Sequence, residues 1–225
     1  MHDDFVTHVR ERLLLLARQD STCDRIFGAS GHRYRLAPPL PEAEIAAFER
    51  RYRTRLPDDY RAFITLLGNG GAGPFYGLFP LGMMDDSFTI KSWTPGEFVG
   101  DLSQSFPHMN EWNLPDDQIA ALTEGEVDPV ESGYWGSVHG VLPVAHEGCA
   151  LRDWLVVAGP EAGRIWHDAT ADFGGWVPWL RDDGQHMSFR DWYEAWLDDA
   201  LWRVQRPNPE SRPFHVRRIC GFRPS

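Results

Sequence analysis

Between Lys91 and Arg152 the sequence holds neither a lysine nor an arginine. The same interval carries ten acids: Glu97, Asp101, Glu111, Asp116, Asp117, Glu124, Glu126, Asp128, Glu131 and Glu147. A segment of one negative sign offers nothing to a phosphate backbone, which argues against nucleic acid as its partner and leaves room for a basic protein. Cysteine is scarce as well. Cys23, Cys149 and Cys220 are scattered, odd in number and form no CxxC pair, so neither a disulfide framework nor a zinc site is expected. No apolar run approaches the roughly 20 residues that cross a bilayer. "LLLL" at Leu13 to Leu16 sits between charges with no small-residue cleavage site after it, so the reading is no membrane span, no signal peptide and a cytoplasmic protein. H-E-x-x-H, G-x-S-x-G, the P-loop and D-x-D-x-D-G are all missing. The expectation is a protein without cofactor or metal that is not an enzyme.

What the chain does have is enough apolar material for one substantial core. It runs to 225 residues, of which 42% are hydrophobic and 13% aromatic, including ten tryptophans. The net charge of −11 belongs to the middle interval, because elsewhere acids and bases nearly balance. From Arg203 onward the end of the chain is rich in arginine.

Apolar periodicity predicts a helix from Asp3 to Gln19, with Phe5, Val9, Leu13 and Leu16 on one side. "GASGHRYRLAPP" reads as a loop or short strand. Pro41 opens a second helix with Glu42 and Glu44 in its first turn and Ile45, Phe48 and Tyr52 as its stripe. Pro57 starts a third, whose single apolar face is Leu56, Tyr60, Phe63 and Leu67. That helix runs into Gly68-Asn69-Gly70-Gly71-Ala72-Gly73, which satisfies the G-x-G-x-x-G of dinucleotide binding. The fingerprint requires a strand before the glycines, a helix after them and an acid about 20 residues on. Here a helix precedes, the aromatic "PFYGLFP" follows, and no acid stands at that distance. The glycines therefore read as a helix end, with Gly68 or Asn69 in the left-handed cap and a strand near Tyr76 to Leu81.

From Met83 to Gly140 the pattern is weak apart from a short helix in "LPDDQIAALTEG", so the segment reads as an irregular acidic insertion. "GVLPVAHEG", "DWLVVAG" and "GRIWHD" follow as strands of an antiparallel meander. Ser188 and Asp191 form a capping-box start for a helix lined by Phe189, Trp192, Tyr193, Trp196, Ala200 and Val204.

In this order the elements resemble the SUKH superfamily, which groups bacterial immunity proteins with the fungal Smi/Knr cell-wall regulators. The residues that carry the resemblance are Leu56, Pro57, Tyr60 and Phe63, then Asn69, Gly70 and Gly71, then Tyr76, Gly77, Phe79, Pro80 and Leu81. Beyond them, "LPVA…GCALRDWLVVAG…GRIWHD…SFRDWYEAWL" matches in rhythm more than in letters. The resemblance implies an α+β fold, a mostly antiparallel sheet flanked by helices, over residues 37–205. Residues 83–140 form its acidic insertion, residues 1–36 an N-terminal helical extension, and residues 206–225 an Arg-rich tail. It further implies a non-catalytic immunity protein that neutralises a cognate toxin by tight binding. The alternative is a Smi/Knr-type regulator or scaffold linked to cell-wall synthesis.

Two groups of residues remain candidates for a site. Adjacent pairs His146-Glu147 and His167-Asp168 point to opposite faces of a strand, so neither forms a dyad within its own strand. In the insertion, the acids Asp116, Asp117, Glu124, Glu126 and Glu131 suit a basic toxin, and Trp93, Trp112 and Trp135 are expected as exposed anchors among them. Asn69, Gly70, Gly71, Tyr76 and Phe79 read as shaping the turn.

Overall fold

The computed structural model describes residues 2–86, 89–94, 96 and 98–206. Glu97 and the Arg-rich tail, apart from Arg206, lie outside the described residues. The architecture is α+β. Four helices come first, α1 (His2–Gln19), α2 (Ala29–His32), α3 (Glu42–Tyr52) and α4 (Asp58–Leu66). A two-stranded hairpin, β1 (Met83–Asp86) and β2 (Thr89–Ser92), precedes α5 (Asp116–Thr123). The main sheet is β3 (Val141–Gly148), β4 (Leu151–Val156), β5 (Ile165–Asp168) and β6 (Trp176–Pro178), and α6 (Phe189–Val204) follows it.

The sheet is an antiparallel meander in the order β3-β4-β5-β6. Its register pairs Trp154 with Trp166, and Asp153 with His167, which pairs in turn with Val177. Directly opposed residues share a face, so Trp154, Trp166 and Trp176 lie on one side and Asp153, His167 and Val177 on the other. Both sides are covered, which is why β3 and β4 read as nearly continuous apolar runs. On the tryptophan side Phe106 packs edge-on against Trp166 and Trp176 at 5.0 and 5.5 Å. Pro143 cannot donate to the ladder, and β3 shifts register between Pro143 and Ala145 and again between His146 and Gly148.

The helices meet through aromatic rings. Leu56, Tyr60, Phe63 and Leu67 are all buried. Tyr60 and Phe63 meet Phe189 of α6 at 5.0 and 5.2 Å, Phe63 meets Tyr193 at 4.8 Å, and Phe5 of α1 lies 6.5 Å from Phe63. The stripe of α4 thus faces α6 and α1. Helix α1 is built into the same core, with Phe5, Val9, Leu13 and Leu16 buried and Arg12 paired with Asp198 of α6. Helix α6 starts at the reciprocal cap formed by Ser188 and Asp191.

Several local expectations are corrected. The stretch after Gly28 makes a turn of helix, α2, where a loop or strand was expected. The left-handed glycines are Gly70 and Gly71, at φ 91° and 102°, and neither Gly68 nor Asn69 adopts that conformation. The reason lies beyond the helix end: the chain must run against residues 35–37, where Ala37 N donates to Gly70 O and Ala72 N to Arg35 O. A Cβ on Gly71 would stand 2.4 Å from the Arg35 carbonyl oxygen. Residues 76–81 form single bridges in place of a strand, because Pro80 has no N–H and Gly77, at φ 100°, breaks the extended run. Residues 83–140 contain the β1–β2 hairpin, and the meander gains a fourth strand, β6.

Candidate functional site

The acidic segment folds into a lobe that is anchored from beneath. Pro115 precedes α5, and Asp116 and Asp117 occupy its first turn, where backbone N–H groups favour negative charge. Leu122 and Tyr134 are the buried residues of this stretch. The Tyr134 hydroxyl donates to Asn113 Oδ1 at 2.7 Å and accepts from Gly175 N at 3.2 Å, while Asn113 Nδ2 donates to Phe173 O. The Tyr134 ring stacks near Phe173, and Trp112 exchanges backbone hydrogen bonds with Trp176 of β6. The lobe is therefore fastened to the β5–β6 end of the sheet.

Its outer surface is acidic with apolar points. Asp116, Asp117, Glu124, Glu126, Asp128 and Glu131 are exposed. Beside them Val130 is 66% exposed, and Val127 and Trp135 are each 41% exposed. Trp135 is held in place, its indole N–H donating to Thr170 O at 2.9 Å. Trp112 is half-buried, with His108 stacked on it at 4.7 Å. Burial pushes the His108 pKa down. Trp93 differs from the expectation of an exposed anchor. It is buried against Tyr52 and Phe48 of α3, because the β1–β2 hairpin turns the chain back across that helix.

The glycine turn lies elsewhere. Asn69 Oδ1 accepts from Leu81 N at 2.8 Å, Phe79 is buried with its N–H on Val144 O, and a Cβ on Gly77 would lie 2.4 Å from Gly71 O. Helix α4, not a strand, leads into it. Tyr76 is exposed and stacks on His146.

A second arrangement, on the helix side of the sheet, escaped the sequence reading. Glu147 is the extra residue of the β3 bulge, and its Oε1 lies 2.7 Å from His167 Nδ1. Asp153, directly across the ladder from His167, places Oδ1 at 3.4 Å from the same nitrogen. Trp179 Nε1 donates to Asp153 Oδ1 at 2.6 Å. Burial opposes charge on the imidazole, but the Asp153 and Glu147 carboxylates outweigh it and raise the His167 pKa to about 10. Burial and the Glu147 charge push the Asp153 carboxyl up. Glu147 also lines a cavity of about 610 Å³, walled by Phe27, Phe75, Tyr76, Trp196 and Arg203. Neighbouring His146 lies 3.6 Å from Asp85, which Arg152 grips with Nε and a terminal nitrogen at 2.9 and 3.1 Å. The first base after the acidic interval is thus committed to a buried acid just before it.

The family model for the SMI1 / KNR4 family (SUKH-1) matches residues 39–166, more than half of the chain. The matched span runs from α3 through the glycine turn and the acidic lobe to β5, and it includes Glu147 and Asp153. Neither the curated proteins nor the solved structures gave a match.

Proposed function

We propose a function on one premise: the chain belongs to the SMI1 / KNR4 family (SUKH-1). It is a non-catalytic binding protein that neutralises a cognate protein toxin, acting in the cytoplasm. The toxin presents a basic surface, such as the phosphate-binding groove of a nuclease domain. The observation that carries this reading is the anchored acidic lobe. Exposed acids from Asp116 to Glu131 surround the exposed Val127, Val130 and Trp135, with no basic side chain in that stretch. Such a surface speeds encounter with a basic partner through its field, and an aromatic on a fixed backbone supplies the desolvated anchor.

The test is binding kinetics against the C-terminal domain of the toxin encoded beside this chain, at low and high salt. Reversing Asp116, Asp117, Glu124 and Glu126 to lysine is expected to slow association and flatten its salt dependence. Trp135→Ala is expected to speed dissociation, at about 2–4 kcal/mol for a hot spot. Association and salt slope unchanged by the fourfold reversal would remove the lobe as the docking surface.

A further inference from the structure

Buried polar atoms in a folded protein have partners, and an exception calls for a missing water or ion. Asp153 is completely buried, yet its Oδ2 accepts no hydrogen bond among the described residues. His167 Nδ1 makes none either, although carboxylate oxygens of Glu147 and Asp153 stand 2.7 and 3.4 Å away. Oxygens gathered closely around an imidazole nitrogen, but off its N–H direction, are placed as ligands of a common centre are placed. One ligand atom from each of the three residues falls within 4.8 Å of the others.

We propose that Glu147, Asp153 and His167 form a binding site for a divalent transition-metal ion, with Zn²⁺ the best fit. Bond lengths of about 2.0–2.2 Å put neighbouring ligands of tetrahedral zinc roughly 3.3 Å apart. The Asp153–His167 separation already matches, and Glu147 must withdraw by about half an ångström. Glu147 is the ligand that comes from a bulge and borders the cavity, so the adjustment is asked of it. The imidazole is the donor that favours zinc over magnesium or calcium, and zinc also accepts carboxylate oxygens. The charges balance as well. Two carboxylates and a neutral imidazole carry −2, which a divalent ion cancels. The outer shell is in place, because the Trp179 indole holds Asp153 Oδ1 and so fixes the carboxylate. Glu147 lines the 610 Å³ cavity, which sets the side from which an ion enters. Its arginines are engaged elsewhere, Arg25 on the Arg203 and Val204 carbonyls and Arg203 on Asp199.

The site is independent of toxin binding, and its test needs no partner. The full chain, stripped with a chelator, is titrated with ZnCl₂ by calorimetry, and the Co²⁺-loaded form is read by visible absorption. One ion is expected to bind at micromolar affinity or tighter, with a rise in melting temperature. Glu147→Gln should weaken binding at least about tenfold, read on the folded, metal-free variant. Cys149→Ser, on the same cavity wall, should change nothing. X-ray absorption at the zinc edge of the unaltered protein should show one imidazole and oxygen ligands without sulfur, whatever the variants do. No saturable binding, binding that survives Glu147→Gln, loss on Cys149→Ser, or a sulfur ligand would each overturn the proposal.

Discussion

The helical side of the molecule and the acidic lobe are held by different means. On the helical side α1, α4 and α6 each present an unbroken stripe, and their rings interlock at Phe5, Tyr60, Phe63, Phe189 and Tyr193. Removing one ring there disturbs every neighbour. The lobe has one short helix, two buried anchors in Leu122 and Tyr134, and a few hydrogen bonds to the β5–β6 turn. Its acids all face outward. A region can thus keep a surface of one sign without weakening the core, provided that few of its residues take part in that core.

The largest effect should come from the interlocked side. Phe63→Ala leaves a void between Phe189, Tyr193 and Phe5, and should cost about 3–5 kcal/mol in denaturant unfolding. A loss below about 1 kcal/mol would mean the two sides do not differ as described.

Acid should separate them next. His32 sits between the Tyr34 and Trp196 rings and accepts from Tyr34 N, so the folded state requires it neutral, and burial lowers its pKa to about 4. Because the folded pKa lies below the unfolded value of 6.5, the stabilisation is complete above 6.5 and is lost as pH falls toward 4. The loss should approach roughly 2–3 kcal/mol. Subtracting the pH profile of His32→Gln from that of the parent isolates it, and a flat difference between pH 6.5 and 4 would refute it.

The smallest effect belongs to the lobe. Tyr134→Phe removes the hydroxyl shared by Asn113 and Gly175, at about 1–2 kcal/mol. Amide exchange should accelerate from Trp112 to Trp135 and leave α6 unchanged. Equal acceleration in α6 would show that the lobe and the helices open as one unit.

The same contrast explains what the sequence revealed. Stripes repeat, so α1, α3, α4 and α6 were legible with their buried faces, as was the alternation of turn and apolar run in β3, β4 and β5. The Gly70–Gly71 conformation depends on residues 35–37, which no local pattern announces. Strand β2 is exposed along its whole length and β6 is three residues ending in Pro178, so neither carries a period of two. The acids of the lobe could be counted in the sequence, but whether a tryptophan points out could not, and Trp93 points in. The meeting of Glu147, Asp153 and His167 needs the register across two hairpins and a bulge. Opposite faces along one strand say nothing of neighbours on the next. The Gly159 and Gly163 turn was the one local clue, since it sets the register that brings Asp153 to His167.

Helices α1 and α6 seal the core from opposite ends of the chain, and the Arg12–Asp198 pair joins residues 186 positions apart. On the ribosome α1 is made before α4, which meets it through Phe5 and Phe63, and its other partner α6 is made only after the whole sheet. The α1–α6 contact can therefore close only once the sheet between them in the chain has been synthesised.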